Sequence, residues 1–170
     1  MLKFKKVVMP FLAAGFVFSL GSNVFAAEVN DETPTINWEE VWNSVDLEGE
    51  PASVIDFGSK STGGISTYSW GDLAKGSTKL SPPTSGKVKS TGKTTGKILT
   101  TTVSATTSLR ISGMSYITGP KKIALGKLTA TSEVSTKDSS GNQAYEGLTL
   151  HTATDSGVLY ESETYDSNIY

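Results

Sequence analysis

Cysteine is absent from this chain of 170 residues, and histidine occurs once, at His151. Without cysteine there is no disulfide framework, no Cys–His nucleophile pair and no thiol for a lipid anchor. A single histidine leaves one candidate base for a serine triad and too few ligands for an ordinary zinc site. No Gly-x-Ser-x-Gly elbow occurs. Long apolar runs are scarce too. The one that stands out is Val7 to Leu20, and nothing toward the C-terminus resembles a membrane anchor.

That run has the make-up of a secretory signal. Lys3, Lys5 and Lys6 precede it, and Val24-Phe25-Ala26 places a small residue for cleavage after Ala26. It falls short of the ~20 apolar residues that a span needs, and it contains Pro10 and Gly15. Export from the cell is therefore expected, with residues 1–26 removed. Residues 27–35 read as a polar, disordered lead-in. The remaining chain suits one domain held by packing alone.

Charge is segregated. Glu28 to Asp56 carries nine acids and no base; Phe57 to Ala130 carries eleven bases and one acid, Asp72. Thr131 to the C-terminus returns to seven acids and one base, Lys137. Such asymmetry fits acidic ends folded on a basic middle, or a basic face turned to an anionic partner.

One helix is expected, over residues 36–46. Asn37 suits the N-cap, with Glu40 placed for a capping box and Ile36 and Val41 for a hydrophobic staple. Trp38, Val41, Trp42 and Val45 recur at helical spacing, so a two-turn helix would lay both tryptophans on a surface. The acidic polar face of this helix is unlike that of interfacial membrane helices. Core packing is the expected role, and partner binding by Trp38 and Trp42 the alternative.

The rest, 47–170, reads as β-structure. Val54–Phe57 and Ile65–Trp70 are short strand candidates. From Ile98 to Tyr165, runs rich in Thr, Val, Ile and Tyr are punctuated by Gly and Asp at strand spacing. The expected class is all-β: a small antiparallel sandwich with one short N-terminal amphipathic helix. Residues 75–97, rich in Lys, Ser, Thr and Gly, bury little apolar surface and are expected to form an exposed connection or an irregular edge strand. Leu109–Thr118 and Lys121–Ala130 are expected to form one hairpin closed at Gly119-Pro120. Asp155-Ser156-Gly157 suits a three-residue loop pairing Thr154 with Val158. That register puts Leu148, Leu150, Val158 and Tyr160 on the core face, and His151 on the surface opposite Glu161.

Motifs with catalytic associations fail on spacing or context. Gly92-Lys93-Thr94 ends like a P-loop, but Gly86 lies one residue too far upstream. Ser90-Thr91-Gly92-Lys93 lacks the companions of the penicillin-recognising enzymes. Asp138–Asn142 begins like a calcium loop but has Gln143 where glycine belongs and Thr149 where glutamate belongs. Glu161 and Glu163 share a strand face without a recognisable sugar cleft around them. No cofactor, metal, catalytic set or nucleic-acid partner is expected.

The layout resembles that of small secreted β-rich proteins of Gram-positive bacteria. The likeness is carried by the Lys-rich leader, Met1 to Ala26, and the cysteine-free Ser/Thr-rich strand train through Leu148-Thr149-Leu150-His151-Thr152 and its closing hairpin. It implies an extracellular compartment and a β fold. The expected function is non-enzymatic binding of the cell surface, a matrix component or another protein. Lys87, Lys89, Lys93 and Lys97 are the candidate contacts for an anionic wall polymer. The alternative is a bacteriocin- or toxin-like protein that uses the tryptophan helix on membranes without stable insertion.

Overall fold

The computed structural model describes residues 36–58, 71–139 and 141–170. The leader, the lead-in and the strand expected at Ile65–Trp70 lie outside the described residues. Asn37–Tyr170 forms one compact unit. The helix α1 spans Trp38–Glu48, followed by strands β1 (Val54–Phe57), β2 (Ala74–Thr84), β3 (Lys87–Gly96), β4 (Thr102–Ile111) and β5 (Tyr116–Thr118). Four more follow among the described residues: β6 (Lys122–Leu125), β7 (Thr129–Lys137), β8 (Ala144–Asp155) and β9 (Val158–Ile169). All pair antiparallel, in two packed sheets. The first has the order β1-β2-β3-β7; the second has β5-β4-β8-β9, with β6 also on β4. The sandwich expected from strand punctuation is the fold observed.

Residues 75–97 correct the sequence reading. They form the hairpin β2–β3, and β3 is an interior strand paired on both sides. Ser85 and Gly86 close it at φ 54° and 68°, the left-handed pair of a type I′ turn. The segment is patterned at period two. Along β3, Val88, Ser90, Gly92, Thr94 and Gly96 are buried, while Lys87 and Lys93 are exposed. Small residues fill the inside, so the pattern escapes a search for large apolar ones. The glycines permit close approach of the sheets: a Cβ on Gly76 would lie 2.6 Å from Cδ2 of His151, and one on Gly147 would lie 2.6 Å from Oγ of Ser90.

Two further registers differ from expectation. Residues 109–130 do not fold as a hairpin about Gly119-Pro120. Instead Leu109 pairs with Ile117 and Thr102 with Leu125, so β5 and β6 lie end to end along β4. The reversal is at Ser112–Met114, where Gly113 takes φ 73°. At the C-terminal hairpin the loop has two residues, Ser156 and Gly157, at φ 51° and 80°. Asp155 therefore pairs with Val158, Leu150 with Glu163 and His151 with Ser162. That one-residue slip turns every side chain of β8 over. His151 points between the sheets, fully buried, and Glu161 instead opposes Thr152.

The interior so built is strongly polar. Apolar clusters sit toward its two ends, around Leu73, Val103 and Ala153 and around Leu80, Val88, Leu109 and Tyr145. Between them runs a chain of buried hydroxyls. Ser90 meets Thr107 at 3.2 Å, Thr149 donates to Thr107 at 3.0 Å, and Thr78 donates to Thr149 at 2.7 Å. Thr164 lies 2.6 Å from Thr78 and 2.6 Å from Nε2 of His151, whose Nδ1 is 2.7 Å from Thr94. Since Thr94 donates its one hydroxyl proton to the Ser104 carbonyl, at 2.7 Å, Nδ1–H of His151 is the donor to Thr94. Buried polar groups need such partners, because an unmatched one costs about 1–3 kcal/mol.

The helix packs where its stripe requires. Asn37 accepts from the Glu40 amide at 3.4 Å, while the Glu40 carboxylate accepts from the Asn37 side-chain amide rather than its backbone N–H. Trp38, Trp42 and Val45 are buried. Trp42 Nε1 donates to Ser108 Oγ at 3.1 Å, and the Arg110 guanidinium lies 4.1 Å from the centre of its ring. Ser108 and Arg110 alternate with the inward Thr107 and Leu109, so α1 covers the outer face of the second sheet.

Candidate functional site

The outer face of the first sheet gathers six of the ten lysines among the described residues. Because side chains alternate along a strand, the positions of β2 and β3 between their buried ones carry Lys, Ser and Thr outward. The registers Lys75–Thr95–Thr129, Ser77–Lys93–Thr131, Lys79–Thr91–Glu133 and Ser81–Lys89–Ser135 run across β2, β3 and β7. Lys87 and Lys137 form a further pair at one end. Lys75, Lys79, Lys89 and Lys93 thus have serine or threonine hydroxyls as lateral neighbours. Same-face residues recur at about 6.6–6.8 Å along a strand and at about 4.8 Å between strands. The result is a flat lattice of cations and hydroxyl donors. A shallow open groove between β2 and β3 is lined by Lys79, Lys89, Lys93, Ser77, Ser81 and Thr91, with Glu133 at its margin.

Glu133 is the one carboxylate among these registers. Lys89 Nζ meets its Oε1 at 3.0 Å, and Thr91 donates to the same oxygen at 3.3 Å. The hydrogen bond from Lys89, aided by the charges of Lys89 and Lys93, holds the Glu133 carboxyl below its usual range against a smaller opposing effect of desolvation. The pair is exposed, so its contribution to stability is small. Six lysines against two acids, Glu133 and the β1 residue Asp56 opposite Lys75, leave the face cationic. Such a surface attracts polyanions and donates hydrogen bonds to their oxygens.

Of the four lysines singled out in the sequence, Lys87, Lys89 and Lys93 lie on this lattice. Lys97 lies beyond the end of β3. Its ammonium pairs with Asp56 at 2.9 Å and donates to the Gly71 carbonyl at 2.5 Å, tying β1 to the start of β2. Trp38 and Trp42 are on the opposite side of the molecule, buried beneath α1. Lys75, Lys79 and the intervening hydroxyls are additional members. Their signal was the strict alternation of Lys75, Ser77, Lys79 and Ser81 with buried neighbours.

His151 is the other group with chemical potential. Burial without a counter-charge pushes its pKa down to about 3, so the ring is neutral at physiological pH. Both nitrogens are engaged by threonine hydroxyls, and the Phe57 ring stands 6.3 Å away. Its arrangement is that of a core bridge between the sheets. Among the described residues no three His, Asp or Glu side chains are grouped as a metal site.

Comparison with protein-family models, with curated proteins and with solved structures finds no match for this chain.

Proposed function

We propose that this is a secreted, non-enzymatic protein that binds an anionic polymer of the cell surface through the outer face of its first sheet. The observation that carries this reading is the lattice of Lys75, Lys79, Lys87, Lys89, Lys93 and Lys137 among serines and threonines, with Glu133 and Asp56 as its acids, Asp56 held by Lys97. A flat cationic surface without a deep cavity suits an extended, repeating anion better than a small molecule. The non-enzymatic part rests on the sealed position of His151. The tryptophan helix gives little support to membrane action, because both rings are buried and Trp42 packs on the second sheet.

Retention on isolated cell walls tests the proposal. Wild-type protein should be retained at low ionic strength and released steeply between about 0.1 and 0.5 M salt, as the screening length contracts from about 10 Å. Replacing Lys79, Lys87, Lys89 and Lys93 by Ser should remove retention, while Lys97→Ser should leave it in place. Retention of the fourfold variant, or salt-independent binding by the wild type, contradicts the reading.

A further inference from the structure

The edge of the second sheet concentrates exposed apolar side chains on one lysine-bearing segment. Beyond β4, the chain from Met114 to Leu128 leaves large apolar side chains in solvent: Met114 is 60% exposed, Ile123 64%, Leu125 66% and Leu128 66%. Tyr116 and Ile117 are also exposed. Register sets Tyr116, Ile123 and Leu125 beside Arg110, Ser104 and Thr102 of β4, so these three share the outer side of that edge. Three exposed lysines, Lys121, Lys122 and Lys127, are interspersed with them. No carboxylate occurs anywhere from Leu73 to Ser132. By register the nearest acids are Glu146, held by Arg110, and Glu161, three strands away; on the other sheet Glu133, held by Lys89, lies on β7, whose backbone packs against Gly119.

We infer that this β5–β6 edge is a docking surface for an anionic lipid bilayer. Two features select that occupant over a second copy of the chain. Gly119 and Pro120 interrupt the edge between β5 and β6, and Lys121 and Lys122 follow, a combination that opposes strand addition. The apolar side chains are also interleaved with cations on a segment that carries no acid of its own, which complements negatively charged headgroups and not another copy of the same edge. Tyr116, with an apolar body and a polar tip, suits the boundary between headgroups and acyl chains. Docking here is peripheral, since no described helix is long and apolar enough to cross a membrane. The inference is independent of the polymer-binding face, which lies on the other sheet.

Co-sedimentation of residues 27–170 with phosphatidylglycerol vesicles and with phosphatidylcholine vesicles tests it. Binding is expected to the first and not to the second. Each lysine near such a surface changes affinity about fivefold, so Lys121→Ser, Lys122→Ser and Lys127→Ser together should weaken binding about 100-fold. Ile123→Asp with Leu125→Asp should abolish it, and the Lys79, Lys87, Lys89 and Lys93 variant should bind like wild type. Absence of sedimentation with phosphatidylglycerol overturns the inference. So does loss of binding in the sheet-face variant with the edge variants unaffected, or a dimer in sedimentation equilibrium that the Asp substitutions dissociate.

Discussion

Acidification from pH 7 to pH 5 is expected to destabilise this domain before most carboxylates titrate, and His151 is the reason. The ring is neutral and buried, with a folded pKa of about 3 against an unfolded value near 6.5. The unfolded chain therefore binds a proton that the folded one refuses. Stability is complete above the unfolded pKa and falls as pH drops through it, by about 1.4 kcal/mol per pH unit until the folded pKa is reached. Neighbouring elements offer no carboxylate to offset the charge: Gly76 and Thr78 on β2, Thr94 on β3, Ala105 and Thr107 on β4, Ser162 and Thr164 on β9, and Phe57 on β1 surround the site. Glu133, whose pKa is lowered from 4.5, acts only in a more acidic window. Urea midpoints should fall clearly between pH 7 and pH 5 for wild type. His151→Gln should be less stable at pH 7, because the hydroxyl chain is broken, yet nearly flat over the same range. A wild-type midpoint that does not move would contradict the account of the core.

Trp42→Ala should be the most damaging single change in the helix, costing about 3–5 kcal/mol as a large buried ring is deleted. The ring fills the space between α1 and the second sheet, donates to Ser108 and carries the Arg110 guanidinium over its face. That cost is a large share of the 5–15 kcal/mol by which a domain is usually stable. In a Trp70→Phe background, emission from Trp38 and Trp42 should be blue-shifted and resist iodide. Chemical denaturation measures the loss, and a change below about 1 kcal/mol would show that α1 is not part of the folded body.

The helix and the two-sheet class were legible because each rests on a strong signal. Trp38, Trp42 and Val45 at helical spacing, with Asn37 as cap, leave few alternatives. The regular Gly and Asp punctuation of the Thr-rich strands does the same for the sandwich. Residues 75–97 were misread because burial was sought in large apolar side chains. In β3 the inward positions are Val88, Ser90, Gly92, Thr94 and Gly96, and only the hydroxyl network across the sandwich makes such an interior stable. The β8–β9 register was misread for a related reason. Placing Leu148 and Leu150 between the sheets looked favourable, but α1 covers the other face, where Leu148 is buried, and histidine and threonines take the interior. The lysine face followed from the same hidden alternation: three of four candidates lie on it, and Lys97 falls outside because β3 ends at Gly96 and its ammonium is tied to Asp56 and Gly71.

Amide chemical shifts during titration with a soluble polyphosphodiester test the central claim, that the lattice of lysines and hydroxyls is the binding surface. The account predicts salt-sensitive perturbations concentrated on β2, β3 and β7, strongest around Lys79, Lys89, Thr91 and Lys93. Perturbations confined to the β5–β6 edge, or no perturbation at low salt, would contradict it.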